Sequence, residues 1–310
     1  MRARMLALIR EFFAARGVLE VETPVLSGAA TTDPNLQSLE CEYHGPYPRR
    51  LYLHTSPEFA MKRLLAAGSD SIYQLCKVFR DGEAGRLHNP EFTLLEWYRV
   101  GFDHHQLMDE TAALIADTLQ GQHALGAPEK LTYREAFERH CGFNPHTADR
   151  AALAAVVRAQ AIPVNADPAH EEVDTLRDLL LTHVIEPRLG HGRLTLLYDY
   201  PASQAALARL RPGNPPLAER FEAYLEGIEL ANGFHELGAA AEQRARFERD
   251  LAGRKQRGLP TLPMDERLLA ALAHGLPECS GVALGFDRLA MLAVGAKAIE
   301  EVLPFPIARA

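Results

Sequence analysis

Apolar residues recur at Leu6, Ile9, Phe12 and Phe13, the spacing of one helix face, and predict a helix over 1–16. Gly17 suits the left-handed cap that ends such a helix, and Val18-Leu19-Glu20-Val21-Glu22 then reads as a short strand stopped by Pro24. A turn-rich stretch over 27–50 precedes a strand at 51–54. Ser56-Pro57 then supplies an N-cap with proline at the first helical position, for a helix running to about Gly68. Residues 72–79 and 91–99 are β-rich and flank the polar, glycine-containing loop 81–90, the pattern of an antiparallel pair with a long connection. From about 103 to 190 the periodicity turns helical: Thr132-Tyr133-Arg134-Glu135 is a capping box, and alanine- and leucine-rich helices are predicted near 147–161 and 171–186. Strand patterns return at 194–200 and 219–236, followed by an arginine-rich helix near 240–257 and a strand-to-helix passage over 280–294.

Strands in three separated clusters, few strict strand-helix-strand units and no glycine fingerprint after an early strand predict an α+β fold. Its expected form is a mainly antiparallel sheet flanked by helices, with a helical insertion over about 103–190, in one domain spanning 1–310. Composition agrees: 310 residues, 47% of them hydrophobic, can bury a large core, which excludes a disordered tail. With 33 basic and 41 acidic residues the net charge is −8, which argues against binding nucleic acid mainly through non-specific phosphate contacts. Cys41, Cys76, Cys141 and Cys279 stand far apart without a CxxC pair, so reduced thiols are expected rather than a zinc knuckle or disulfide framework. An apolar run of 18 residues and a signal-peptide core are both missing, so a cytoplasmic location without membrane association is expected.

Candidate chemistry concentrates in three segments. On the strand 91–99, alternation puts Phe92, Leu94, Glu96 and Tyr98 on one face, mixing aromatics with a carboxylate. The adjoining loop offers Arg80, Arg86 and His88 beside small residues, which suits wrapping a polyphosphate; a merely solvated loop is the alternative. Glu222 and Glu229 flank a hairpin turn near Glu226-Gly227 and become cross-strand neighbours, either carriers of a divalent cation or two solvent-facing carboxylates. Asn232-Gly233 is expected to bulge the strand and re-aim Glu236 toward a cationic ligand group. In Ser280-Gly281-Val282-Ala283-Leu284-Gly285-Phe286-Asp287-Arg288, small residues permit close approach of a ligand. Arg288 stands near a helix start, where a cation is disfavoured unless an anion binds. Asp103-His104-His105 is followed by no further ligand at metal spacing and reads as a loop or helix cap. The arginine-rich helix, with Arg244, Glu248, Arg249 and Arg254, reads as a solvated face or a dock for an acidic protein.

Together the helix-strand-proline ending at Pro24, the Phe79-Arg80 strand-loop-strand and the Gly285-Phe286-Asp287-Arg288 strand-helix resemble the three signature motifs of class II aminoacyl-tRNA synthetases. Within that class the chain is similar to the lysyl branch. The match runs through Thr55-Ser56-Pro57-Glu58, Arg86-Leu87-His88-Asn89-Pro90-Glu91-Phe92-Thr93, Glu96-Trp97-Tyr98 and Gly227-Ile228-Glu229-Leu230-Ala231-Asn232-Gly233-Phe234-His235-Glu236. Only about twenty residues precede Pro24, too few for the anticodon-reading OB-fold of a lysyl-tRNA synthetase. That, with Pro201-Ala202-Ser203-Gln204-Ala205 and the segment Cys279–Gly285, looks like the freestanding lysyl-synthetase paralogues that modify elongation factor P.

The resemblance implies an enzyme that uses ATP and Mg2+ to activate (R)-β-lysine or lysine and passes it to elongation factor P, as a homodimer and without stable tRNA binding. It implies Arg80 and Arg288 as catalytic cations on the α- and γ-phosphates. Asp81, Gly82, His88, Asn89, Phe92, Ala223 and Gly285 would lie around the nucleotide, and Glu222 and Glu229 would carry the metal. Ser56, Pro57, Glu58, Glu96, Tyr98, Glu229, Glu236 and Ala283 would border the amino acid, and Phe12, Phe13 and Val21 would approach a two-fold interface. Two positions depart from the family pattern. Gly82 stands where a glutamate is usual, with Glu83 following, and Ala283 stands where lysyl-tRNA synthetases are expected to have glycine. Two other readings accompany this one: a catalytic fragment that charges tRNA, and a non-catalytic paralogue that binds lysine or ATP, which would have no need of two phosphate arginines and a metal pair.

Overall fold

In the computed structural model, which describes residues 1–121, 124–164 and 167–310, the chain opens with α1 (Arg2–Ala14) and β1 (Leu19–Glu20). A small sheet follows, formed by β2 (Leu26–Ser27), β3 (Glu40–Tyr43) and β4 (Arg49–Leu53) in the order β2-β4-β3. Next come α2 (Glu58–Ala66), the long pair β5 (Ile72–Phe79) and β6 (Glu91–Val100), and α3 (His104–Thr118). The middle of the chain holds β7 (Gly126–Thr132), α4 (Tyr133–Cys141), α5 (Arg150–Ala159) and α6 (Val173–Leu180). β8 (Arg193–Pro201), β9 (Leu210–Arg211), β10 (Leu217–Leu225) and β11 (Ile228–His235) follow, then α7 (Ala240–Gln256), α8 (Glu266–His274), β12 (Cys279–Gly285) and α9 (Phe286–Val294).

The main sheet runs β1-β5-β6-β12-β11-β10-β8-β7, with β9 added to β10. Its six inner strands pair antiparallel, and each edge carries one parallel strand, β1 on β5 and β7 on β8. The α+β architecture expected from the sequence is therefore the one adopted. The stretch 103–190 is not helical throughout, because β7 joins the sheet and α3 packs with α1 over its centre. Leu107, Met108, Leu114 and Ile115 of α3 share one core with Met5, Ile9, Phe12 and Phe13 of α1. Phe13 stacks on Tyr73 at 4.4 Å and meets Trp97 edge-on at 5.5 Å. Each such buried side chain contributes on the order of 1.5–3 kcal/mol. Phe12 and Phe13 are thus spent in the chain's own core, whereas Leu19, on the edge strand β1, is exposed. A second core lies under α4, α5 and α6, around Tyr133, Phe137, Leu153 and Leu180.

Local signals explain most boundaries. Asp103 caps α3 in a reciprocal box with Gln106, and Thr132 caps α4 in one with Glu135. Pro57, rather than Ser56, takes the N-cap place of α2, while the Ser56 hydroxyl still accepts the Glu58 N–H at 3.0 Å. The β10–β11 hairpin turns on Glu226 and Gly227, both with positive φ, as a tight two-residue hairpin requires. α7 is more than a solvated face. Arg254 is buried and donates to the carbonyls of Pro260, Asp33 and Leu36, and Arg246 donates to those of Ala206 and Ala208. These two arginines satisfy loop carbonyls that no strand pairs.

Candidate active site

A cavity of about 1710 Å³ opens on the sheet face away from α1 and α3. Ligand pockets usually span roughly 300–1,000 Å³, so it can hold more than one small molecule. Strand register builds its floor. Glu96, Ala283, Asn232 and Glu222 stand in one row across β6, β12, β11 and β10, and Tyr98, Gly281, Phe234 and Arg220 form the next row. Gly281 permits the second row to close: a Cβ there would run into the Tyr98 ring and the Glu236 carboxylate. The start of α2, the 80–92 loop and the start of α9 supply the walls.

One lobe is acidic. Glu96, 2% exposed, accepts hydrogen bonds from the Ser56 hydroxyl at 2.6 Å and the Tyr98 hydroxyl at 2.7 Å. Lys62 lies 2.5 Å from Glu236 and 2.6 Å from Glu58. Three carboxylates thus share one ammonium in a buried place, and charge taken out of water is costly unless it is balanced. Burial, with Glu58 nearby, pushes Glu96 up to about 7. Burial and Glu58 also push Glu236 up to about 8, against the pull of Lys62. Burial opposes the Lys62 charge, but Glu236 and Glu58 outweigh it and hold the ammonium above its ordinary range. The lobe therefore has an electrostatic deficit that an incoming cation would fill.

The other lobe, toward the start of β6, is cationic. Arg80 lies over the Phe92 ring at 5.0 Å and pairs with Glu83 at 3.6 Å. Arg288, in the first turn of α9, donates to the Glu229 carbonyl at 2.9 Å, approaches its carboxylate at 3.4 Å and meets His88 Nε2 at 2.7 Å. Burial, then Arg288, lowers the His88 pKa, so its ring is a neutral acceptor for that arginine. Asn89 fastens the loop, donating to the Glu91 carbonyl at 2.6 Å and accepting the Ile307 N–H at 3.0 Å. Asp287 is buried and holds the loop's return strand to α9 and α1: it accepts the Thr93 N–H at 2.6 Å and pairs with Arg2. Two arginines facing one space, with an aromatic ring and a helix start beside them, suit an anionic, planar-ringed ligand.

A family model for class II tRNA synthetases (D, K and N) matches residues 1–309. The chain belongs to the class II tRNA synthetases. It is similar to curated proteins named elongation factor P (R)-β-lysine ligase. The identity is 53% to that of Vibrio cholerae serotype O1, over all of this chain and 95% of the relative. It is 52% to that of Vibrio vulnificus, over 99% and 95%, and 51% to that of Klebsiella pneumoniae, over 100% and 94%.

Within this class II frame, the fold brings together Arg80, His88, Asn89, Phe92, Glu229, Gly285 and Arg288, and separately Ser56, Pro57, Glu58, Glu96, Tyr98, Glu236 and Ala283. Other expected residues sit elsewhere. Asp81 and Gly82 are exposed and lie outside the cavity wall, whereas Glu83 lines it. Ala223 points into the core on the face opposite the cavity, because β10 alternates, and Glu222, on the other face, is buried beneath the cavity wall without lining it. Glu222 is a diagonal neighbour of Glu229, displaced by a bulge at Leu230. Its oxygens already accept from Arg220, Tyr200 at 2.6 Å and Tyr224 at 2.5 Å. The bulge lies before Asn232-Gly233, and Gly233 serves packing instead: a Cβ there would sit 2.7 Å from Phe221 and Val282.

Lys62, Arg220, Gly281 and Asp287 were not singled out from sequence for the roles they play. Lys62 had a signal, since it follows Glu58 by four residues and falls on the stripe of Met61 and Leu65 that buries α2. Arg220, which donates to Asn232 at 3.2 Å and to the Gln204 carbonyl at 2.8 Å, depends on strand register and had none.

Proposed function

We propose that this chain activates (R)-β-lysine with ATP and transfers it to a lysine ε-amine of elongation factor P. The observation that carries the reading is the divided cavity: a carboxylate-rich lobe short of cations beside an arginine lobe suited to a polyphosphate. The relatives named for this ligase activity, similar over 94–95% of their length, support the substrate choice.

In the first step a substrate carboxylate oxygen bonds to the α-phosphorus of ATP, the bond from that phosphorus to the bridging oxygen breaks, and pyrophosphate leaves. Arg80 and Arg288 supply positive charge where oxyanion charge develops, and orientation does the remaining work. In the second step the acceptor amine attacks the adenylate carbonyl, an amide forms, AMP leaves and one proton is released. Glu96, Glu58 and Glu236 hold the ammonium groups, with the Ala283 methyl on the floor between them. One methyl is worth about 1–3 kcal/mol of discrimination, enough to favour the β-amino acid over its α isomer.

Magnesium fits this donor set through Glu229, whose carboxylate borders the cavity and is held only by a 3.4 Å contact with Arg288 among the described residues. Glu222 would have to share oxygens that Arg220 and two tyrosines already use. The ion would neutralise phosphate charge. A homodimer, a cytoplasmic location and the absence of stable tRNA binding belong to the same reading; the described residues contain no helix long and apolar enough to cross a membrane.

The test is ATP–pyrophosphate exchange by purified protein with (R)-β-lysine, α-lysine or no amino acid, followed by the intact mass of elongation factor P and acid-gel analysis of tRNA. β-Lysine-driven exchange and one added lysyl mass on the factor, with tRNA uncharged, are expected. Charged tRNA would replace this reading with a synthetase fragment, and no exchange would leave a binding protein.

A further inference from the structure

On the sheet face opposite the cavity, three buried residues from three elements converge: His104 at the first position of α3, Glu219 on β10 and His235 at the end of β11. One ligand-type atom of each lies within 4.8 Å of the other two. His104 is 3% exposed, yet neither of its ring nitrogens has a hydrogen-bond partner. Asp199 stands beside them, outside the mutually close set: its Oδ1, buried and without a hydrogen-bond partner, lies 4.0 Å from His104 Nε2. Leaving buried polar atoms unmatched costs about 1–3 kcal/mol each, so three in one place call for a common explanation.

We propose that His104, Glu219 and His235 form a three-ligand site for a zinc-type divalent transition-metal ion. Two imidazoles and one carboxylate are a borderline nitrogen–oxygen set, which suits tetrahedral zinc with water in the fourth position; hard magnesium and calcium prefer all-oxygen shells. The imidazoles must be neutral to ligate. His235 Nδ1 faces Glu219 at 2.9 Å, while its Nε2 meets Glu278 at 2.9 Å, the carboxylate contact that commonly orients a metal-bound histidine. Arg209, 3.3 Å from Glu219, and Arg211, 2.7 Å from Asp199, balance the acids from outside and weaken affinity without occupying the centre. The ion would tie α3 to β10 and β11 directly behind Glu236, so it is assigned a structural role that is independent of the proposed reaction.

The test uses the full chain, stripped with chelator, loaded with Zn2+ or with Co2+ as a spectroscopic probe, and gel-filtered. One retained equivalent is expected, with a tetrahedral cobalt spectrum lacking the thiolate band that the four cysteines would give. Zinc should raise the melting temperature of the parent protein and not that of His104→Gln or His235→Gln, while His105→Gln, which stacks on His104 at 4.1 Å, should bind normally. Metal-free melting of each variant shows that it folds. Zinc-edge anomalous diffraction should place the ion between His104, Glu219 and His235. No retained metal, equal retention by His104→Gln, a thiolate band, or an anomalous peak only elsewhere would overturn the assignment.

Discussion

If the acidic lobe waits for cations, binding the amino acid must release protons. With Glu96 titrating near 7 and Glu236 near 8, the free site holds roughly 1.4 carboxyl protons at pH 7 and about 0.1 at pH 9. Ammonium groups arriving beside both acids return them toward ordinary values and expel those protons. Amino-acid affinity should therefore rise with pH, by up to roughly 10³-fold between pH 6 and pH 9 if both acids discharge fully, before the ligand's own amines begin to neutralise. Isothermal titration calorimetry at pH 7, in buffers of different ionisation enthalpy, counts the protons directly. Glu236→Gln should cut the count to about 0.5 and leave a single-proton slope, the remaining term being Glu96. In the unliganded protein the sign reverses: the folded state keeps protons that the unfolded state has lost, so these two groups lower stability as pH rises from about 5 through 8. A proton count near zero at pH 7, or an affinity flat from pH 6 to pH 9, would refute the charge-deficit reasoning.

Arg288→Gln should lower the exchange rate by about 10²–10³-fold with amino-acid binding intact, as read by calorimetry, since it removes charge aimed at developing oxyanions. Gly281→Ala, which drives a methyl against Tyr98 and Glu236, should cost about 1–3 kcal/mol in thermal unfolding and raise the KM for the amino acid more than that for ATP. Asp287→Asn should lower stability by about 2–3 kcal/mol, the low end for a buried ion pair because Arg2 keeps partial contact with water, and calorimetry would show a lowered Tm.

Much of the fold was legible because it rests on local signals. The helix cap at Asp103, the capping box at Thr132, the Glu226-Gly227 turn and the alternation of 91–99 each set a boundary that the structure keeps. What escaped depends on register and on long-range contact. β7 carries Gly126, Pro128 and two charged residues, an edge strand's composition, and only its parallel pairing with β8 makes it a strand. The bulge at Leu230 moved Glu229 relative to Glu222 by an amount no spacing argument contains. The arginines of α7 divide between water and loop carbonyls according to neighbours more than 200 residues away, as with Arg254 and Asp33. At the site, motif order identified the arginine lobe well. The ammonium balance needed Lys62, whose partner Glu236 stands just past the end of β11, distant in sequence.

The mooring of the 80–92 loop has one more consequence. Asn89 accepts the Ile307 N–H, Arg86 accepts the Ile299 N–H at 2.8 Å through its carbonyl, and Arg2 reaches Asp287 beside Arg288. The first helix and the last dozen residues are therefore both braced against the loop that holds Arg80. Rigidity in that loop is rented from distant ends of the chain, so a fused tag or a protease nick at either end acts on the arginine lobe as a remote loosening screw. In the other direction, a ligand that tightens the loop slows amide exchange at Ile307, near the end of the chain and more than 200 residues from Asn89, which it moors.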